Sequence, residues 1–133
     1  MKFSAWVLAA RPKTLPAAIA PVVIGSAIAF HDAGNIHWPS FAFALIGAIL
    51  IQIGTNFAND YFDFVKGTDT AERIGPTRAT QAGLIKPATM RLAFIVAFVL
   101  ALLPGAYIIY RGGWPYLAIG IVSIICGILY TGG

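Results

Sequence analysis

Four long apolar runs constrain the fold of this chain more than any other feature of its sequence. A helix needs about 17 to 25 mostly apolar residues to cross a bilayer, and hydrophobic residues make up 59% of the chain against 11% charged. Soluble domains average about 25% charged residues. The sequence therefore predicts an all-α, polytopic membrane helix bundle with four transmembrane helices, at Leu15–Phe30, Ser40–Asn59, Leu92–Tyr110 and Trp114–Tyr130.

Basic residues are distributed unevenly around these runs. All but one of the nine Lys and Arg residues precede the first run or lie in the connection between the second and third runs. Loops rich in Lys and Arg stay in the cytoplasm. We therefore expect a multi-pass protein of the cell inner membrane, with its N-terminus and long connection cytoplasmic. The same distribution explains the net charge of +4, so we expect no nucleic-acid partner. Membrane lipid is expected to surround the protein.

The apolar segment before the first run is too short to cross a bilayer. It covers Phe3–Ala10, and Arg11, Pro12 and Lys13 follow it at once. A secretory signal has a small-residue cleavage site after its apolar part. We expect an interfacial segment that leads into an uncleaved first helix.

A polar face appears near the end of the second apolar run. Its members recur at spacing i, i+4, i+7, i+8 and i+11, and they are Gln52, Asn56, Asn59, Asp60 and Asp63. At about 3.6 residues per turn, this spacing places all of them within an arc of about 100° on a helix. Polar side chains inside a membrane helix are costly and mark functional sites. This polar face is the candidate site, and it is expected to open toward the cytoplasm.

Two carboxylates one helical turn apart, at Asp60 and Asp63, repel each other unless a cation lies between them. Mg²⁺ binds one or two carboxylates and completes its coordination with water and substrate phosphate oxygens. Asn56 and Asn59 can add carbonyl oxygens from the same face. The residues therefore predict a Mg²⁺ site that binds a phosphorylated substrate.

The long connection from Phe64 to Met90 supplies cations for such a substrate. Lys66, Arg73 and Arg78 follow the polar face and can neutralise phosphate charge, with Arg as a bidentate donor. A connection of this length is uncommon unless it is functional or disordered. We expect it to cover the polar face.

Two other interpretations of the polar face remain open at this point. The side chains could join helices through hydrogen bonds, or they could form part of a cation or proton transport pathway. A pathway continues across the bilayer, whereas the other three apolar runs contain no Asp, Glu, Lys or Arg. A pocket is therefore favoured over a path.

Three stretches of the sequence resemble a known family. The run NFANDYFD (Asn56–Asp63) is similar to the NxxNDxxD first aspartate motif of UbiA-type intramembrane prenyltransferases. Three longer strings resemble the branch of this family that acts on 1,4-dihydroxy-2-naphthoate in menaquinone synthesis. They are RPKTLPAAIAPVVIGSA, QIGTNFANDYFDFVKGTD, which contains the motif, and GPTRATQAGLI. The resemblance implies transfer of a polyprenyl group from an all-trans-polyprenyl diphosphate to this aromatic acceptor, with loss of carbon dioxide and formation of demethylmenaquinone. An acceptor such as 4-hydroxybenzoate is the alternative within the same chemistry.

The resemblance also assigns roles to individual residues. Asp60 and Asp63 would bind Mg²⁺ and be catalytic, with Asn56 and Asn59 as further metal and substrate ligands. Contacts to the diphosphate would come from Lys66, Arg73 and Arg78, of which Lys66 and Arg78 are also expected to be catalytic. Asp69 departs from the position of the family's third aspartate, which Gly67 occupies here.

The family fold implied by the resemblance has about nine transmembrane helices and a second aspartate motif in its later half. The chain ends on Tyr130, Thr131, Gly132 and Gly133, which is typical of a helix giving way to a turn. We therefore expect residues 1–133 to be the N-terminal portion of a single transmembrane prenyltransferase domain. This portion is expected to be inactive without the C-terminal half.

Overall fold

The computed structural model describes residues 2–65, 80 and 84–132, with side chains described from residue 4 to residue 129 within those ranges. Every regular element in this part of the chain is a helix. Five α-helices and one 3₁₀ helix follow in the order α1 Lys2–Ala10, 3₁₀ Pro12–Thr14, α2 Leu15–Ala33, α3 Trp38–Val65, α4 Pro87–Gly112 and α5 Trp114–Gly132. The predicted all-α fold is confirmed.

The four predicted transmembrane helices correspond to α2, α3, α4 and α5. Three helical segments are long and apolar enough to cross a bilayer, and they are Ser4–Ala33, Trp38–Val65 and Pro87–Gly112. The described apolar part of α5, Trp114–Leu129, is shorter. Large apolar side chains such as Ile24, Leu103 and Ile119 are exposed on these helices, which fits a bundle surrounded by lipid.

The chain turns sharply between α1 and α2. Arg11 has a left-handed backbone conformation with φ 53° and ψ 68°, which is uncommon outside Gly, Asn and Asp. Pro12 then begins the 3₁₀ helix, and Pro16 lies in the first turn of α2. Because proline is tolerated in a first turn, Pro16 does not interrupt α2, whereas Pro21 and Pro104 lie inside helices.

Helix α3 lies at the centre of the fold and packs against each of the other four α-helices. Two glycines allow its closest contacts with α4 and α5. A Cβ atom on Gly54 would lie 2.9 Å from Cε1 of Phe98, and one on Gly127 would lie 2.5 Å from Oγ1 of Thr55. Gly120, which small-residue spacing also suggests as a packing site, has no described atom within 4 Å of such a Cβ.

Helix α1 packs onto the bundle near the C-terminal half of α3 through a small apolar cluster. Ala5 and Ala9 lie one turn apart on its buried face and pack with Ile85 and Met90, which precede and begin α4. The Trp6 ring meets the Phe57 ring edge-on, with centroids 5.4 Å apart. Since Phe57 is the neighbour of Asn56, this docking brings the end of α1 to the polar face of α3.

Candidate functional site

The predicted polar face is continuous on α3. The helix extends to Val65, six residues beyond the predicted end of its span at Asn59, so both aspartates lie within it. Asn56 and Asp60 are 2% and 1% exposed, and Asn59 is also buried. Gln52 and Asp63 are partly buried. The face is therefore turned into the protein and not toward lipid.

Asp60 is held by the connection that follows α3. The backbone N–H of Thr80 donates a hydrogen bond of 2.9 Å to its Oδ1 atom. Thr80 is 2% exposed, so this contact is shielded from water. The prediction that the connection covers the polar face is confirmed at this one residue.

The other end of the polar face contacts the turn between α1 and α2. Nδ2 of Asn56 donates to the Ala10 carbonyl oxygen at 2.8 Å and to Oγ1 of Thr14 at 2.9 Å. Nε2 of Gln52 donates to the same Thr14 oxygen at 3.4 Å. The amides of the face therefore do join helices, as one of the open interpretations predicted. The two carboxylates, Asp60 and Asp63, follow Asn56 by one and two turns of α3.

The donor set fits a hard divalent cation. Among the described residues no three His, Cys, Asp or Glu side chains cluster together, so a site of the zinc type is not formed there. Two carboxylates and two amides, from Asp60, Asp63, Asn59 and Asn56, offer oxygen atoms only as ligands. This is the set that Mg²⁺ takes when substrate phosphate completes its coordination.

Three of the predicted site residues lie outside the described residues, namely Lys66, Arg73 and Arg78. Asp69 does as well. Their predicted contacts with the diphosphate stay predictions. The residues that the structure brings together are the asparagines and Asp60, with Asp63 following on the same helix face.

Two cavities of the described residues lie away from this face. One, of about 570 Å³, lies near Pro21, Ser40 and Arg111 at the opposite ends of the helices. Ser40 and Asp60 are about 30 Å apart along α3 at 1.5 Å per residue. The other, of about 490 Å³, is apolar and lies between α3, α4 and α5. We assign the site to the polar face because, within the part of the chain that the structure describes, carboxylates and buried amides converge there.

The sequence model of the UbiA prenyltransferase family matches residues 18–133. This match covers both aspartates, most of α2 and all of α3, α4 and α5. The chain belongs to the UbiA prenyltransferase family. No solved structure matches the chain.

Relatives of this UbiA-family chain are named 1,4-dihydroxy-2-naphthoate octaprenyltransferase. The protein from Escherichia coli (strain K12) is 41% identical over 97% of this chain and 44% of its own length. Those from Mycobacterium tuberculosis (strain ATCC 25618 / H37Rv) and Bacillus subtilis (strain 168) are 38% and 37% identical, over 98% and 92% of this chain and 44% and 39% of their own lengths. The chain thus spans under half the length of these relatives. Its long apolar helices, together with these relatives, indicate a multi-pass membrane protein.

Sequence reasoning missed three contributors to this UbiA-family site. Thr14 and the Ala10 carbonyl bind Asn56 from a turn that precedes the family match at residue 18, and the Thr80 N–H binds Asp60. Two of the three are backbone groups, which every residue type carries. Thr14 and Thr80 both lie in strings that resemble the family, RPKTLPAAIAPVVIGSA and GPTRATQAGLI, but neither string indicates these hydrogen bonds.

Proposed function

We propose that this chain is the N-terminal portion of a Mg²⁺-dependent prenyltransferase domain. The whole domain transfers a polyprenyl group from an all-trans-polyprenyl diphosphate to 1,4-dihydroxy-2-naphthoate. Carbon dioxide leaves from the attacked position, diphosphate is released, and the product is demethylmenaquinol, the reduced form of demethylmenaquinone. The observation that carries the proposal is the buried carboxylate and amide face of α3 in a chain of the UbiA family.

The residues of the polar face have distinct roles in this proposal. Asp60 and Asp63 hold Mg²⁺ through carboxylate oxygens, and Asn56 and Asn59 support them with amide oxygens. When bound, Mg²⁺ supplies positive charge that stabilises the diphosphate as the allylic C–O bond breaks.

The rest of the chain binds the substrate and shapes its surroundings. Lys66, Arg73 and Arg78 bind the diphosphate oxygens that the metal leaves exposed. The Thr80 N–H fixes Asp60 in one orientation, so little reorganisation is needed when the substrate arrives. Burial of Asn56 and Asp60 strengthens their electrostatic interactions with the bound cation.

The acceptor follows from the relatives. Relatives at 37% to 41% identity are named for 1,4-dihydroxy-2-naphthoate, which favours this acceptor over 4-hydroxybenzoate. The distribution of Lys and Arg supports a cytoplasmic opening of the site in the cell inner membrane. We further propose that a C-terminal half supplies the second aspartate motif, and that residues 1–133 alone are inactive.

A test of the metal role is the variant Asp63→Asn in the full-length protein, assayed in membranes for prenylation of 1,4-dihydroxy-2-naphthoate. The amide keeps the size of the side chain and removes its charge, so we expect activity to fall by about 100-fold or more, in line with the loss of several kcal/mol of transition-state stabilisation. Asp32→Asn, at an exposed position near the end of α2, is the matched control. Activity of Asp63→Asn within about twofold of the parent would contradict the metal role, since a twofold change is only about 0.4 kcal/mol.

A further inference from the structure

The hydrogen bonds around Asn56 determine which way its amide faces. Asparagine presents one donor atom, Nδ2, and one acceptor atom, Oδ1, and the two are often exchanged in assignment. Here the atom 2.8 Å from the Ala10 carbonyl oxygen must be Nδ2, because a carbonyl oxygen only accepts. The orientation is therefore fixed by chemistry and not by assignment.

The Thr14 hydroxyl accepts the second proton of the Asn56 amide nitrogen. Its Oγ1 lies 2.8 Å from the Arg11 carbonyl oxygen, which again only accepts, so the hydroxyl proton points there. The lone pairs of Oγ1 are then left to accept, and Nδ2 of Asn56 donates to them at 2.9 Å. Thr14 thus links the Arg11 turn and Asn56 in one directional chain of hydrogen bonds.

Both protons of the Asn56 amide are engaged on the side of the α1–α2 turn. Since the amide group is planar and Oδ1 diverges from Nδ2 by about 120° at Cγ, the oxygen is turned away from Ala10 and Thr14. The atom that Asn56 can present to a ligand is therefore its oxygen. Oxygen is also the atom that a hard divalent cation accepts.

We propose that Thr14 is a positioning residue that orients Asn56 so that its Oδ1 faces the divalent cation of the site. The inference rests on the proposed function, because it concerns the same metal. It goes beyond that function by assigning a role to a residue that precedes the family match and contacts neither aspartate in any described hydrogen bond. Partners of this kind, which hold a metal ligand in place, change metal affinity by about 10- to 100-fold when removed.

A simpler explanation is that the same hydrogen bonds only attach α1 and α2 to α3. The two explanations differ for Asn56→Asp. A carboxylate is a stronger Mg²⁺ ligand than an amide, yet it has no proton to donate to the Ala10 carbonyl or to Thr14. If orientation matters, Asn56→Asp binds metal more weakly than the parent despite its added negative charge.

The experiment measures Mn²⁺ binding by electron paramagnetic resonance, in the full-length protein in lipid nanodiscs with a non-hydrolysable prenyl diphosphate analogue. We expect Thr14→Val to weaken Mn²⁺ binding by about tenfold, and Thr14→Ser, which keeps the hydroxyl, to stay within about twofold of the parent. Thr55→Val is the matched control, because the hydrogen bond that the structure describes for the Thr55 hydroxyl goes to the Ile51 carbonyl of its own helix, at 2.8 Å.

Each result decides the proposal. Weakened binding in Thr14→Val and Asn56→Asp, with Thr14→Ser and Thr55→Val near the parent, supports it. Parent-like binding in Thr14→Val, or tighter binding in Asn56→Asp, overturns it. Should Thr14→Val fail to fold, Asn56→Asp decides alone. A parent that binds no Mn²⁺ also overturns it, whereas a parent that binds Mn²⁺ but does not prenylate the naphthoate contradicts only the proposed function.

Discussion

The backbone N–H of Thr80 and the Oδ1 atom of Asp60 are 2.9 Å apart, although twenty residues separate them in the sequence. This hydrogen bond fastens the connection after α3 to the most buried carboxylate of the polar face. Hydrogen bonds to charged groups contribute about 1.5 to 3 kcal/mol. The orientation of Asp60 therefore depends on a backbone group outside its own helix.

Replacing Thr80 separates the roles of its backbone and its side chain. Thr80→Pro removes the N–H, and we expect prenylation by the full-length protein to fall by about tenfold or more, because about 1.4 kcal/mol corresponds to tenfold. Thr80→Val keeps the N–H. It replaces a buried Oγ1 that has no hydrogen-bond partner among the described residues, so it should keep activity and raise the thermal midpoint. If Thr80→Pro and Thr80→Val lose activity equally, the effect comes from the Thr80 hydroxyl and not from its backbone N–H.

Close packing at two glycines predicts which helix contacts cannot accept a larger residue. In Gly54→Ala the new methyl would meet the Phe98 ring, and in Gly127→Ala it would meet Thr55. Overpacking of this kind costs about 1 to 3 kcal/mol, and we expect lower thermal midpoints in detergent. Gly120→Ala is the control, because alanine has the better helix propensity by about 1 kcal/mol and meets no described atom. A lower midpoint for Gly120→Ala would contradict this packing.

The sequence predicted the helices and the polar face because both depend on periodicity along one chain. Apolar runs place α2 to α5, and the spacing from Gln52 to Asp63 places five side chains on one side of α3. Small residues beside Gly47 and Gly120 also predict close helix contacts at these two glycines. The prediction for Gly47 is confirmed, since its Cβ would lie 3.7 Å from Pro104. The prediction for Gly120 is wrong, because this glycine lines the apolar cavity between α3, α4 and α5, and its Cβ would have no described atom within 4 Å.

The hydrogen-bond partners of the site were beyond prediction for a different reason. Asn56 binds the Ala10 carbonyl and Asp60 binds the Thr80 N–H, and neither backbone group differs from any other in the sequence. Their positions depend on how α1 docks and where the long connection passes. These are tertiary contacts between distant segments, which local patterns do not encode.

Docking of α1 can be tested through a buried alanine. Ala9 is 1% exposed and lies against Ile85 and Met90, so Ala9→Leu should displace the helix at a cost of about 1 to 3 kcal/mol. Because Ala10 follows directly, its carbonyl would also move from Asn56, and Mn²⁺ binding should weaken together with the thermal midpoint. Val7→Leu is the control at a position 40% exposed on the same helix. If Ala9→Leu is destabilised but binds metal like the parent, docking of α1 does not affect the metal site.

Removing divalent metal should abolish the proposed reaction reversibly. Without a cation, Asp60 and Asp63 repel each other and the diphosphate, so we expect prenylation in membranes to fall to background in excess chelator and to return with Mg²⁺. Asp63→Asn, with one carboxylate fewer, should need a higher Mg²⁺ concentration for half-maximal activity than the parent. Asp32→Asn should match the parent, because its carboxylate is exposed at the other end of the bundle. Activity that persists in chelator, or an identical Mg²⁺ requirement in Asp63→Asn, would exclude the α3 carboxylates as the metal ligands.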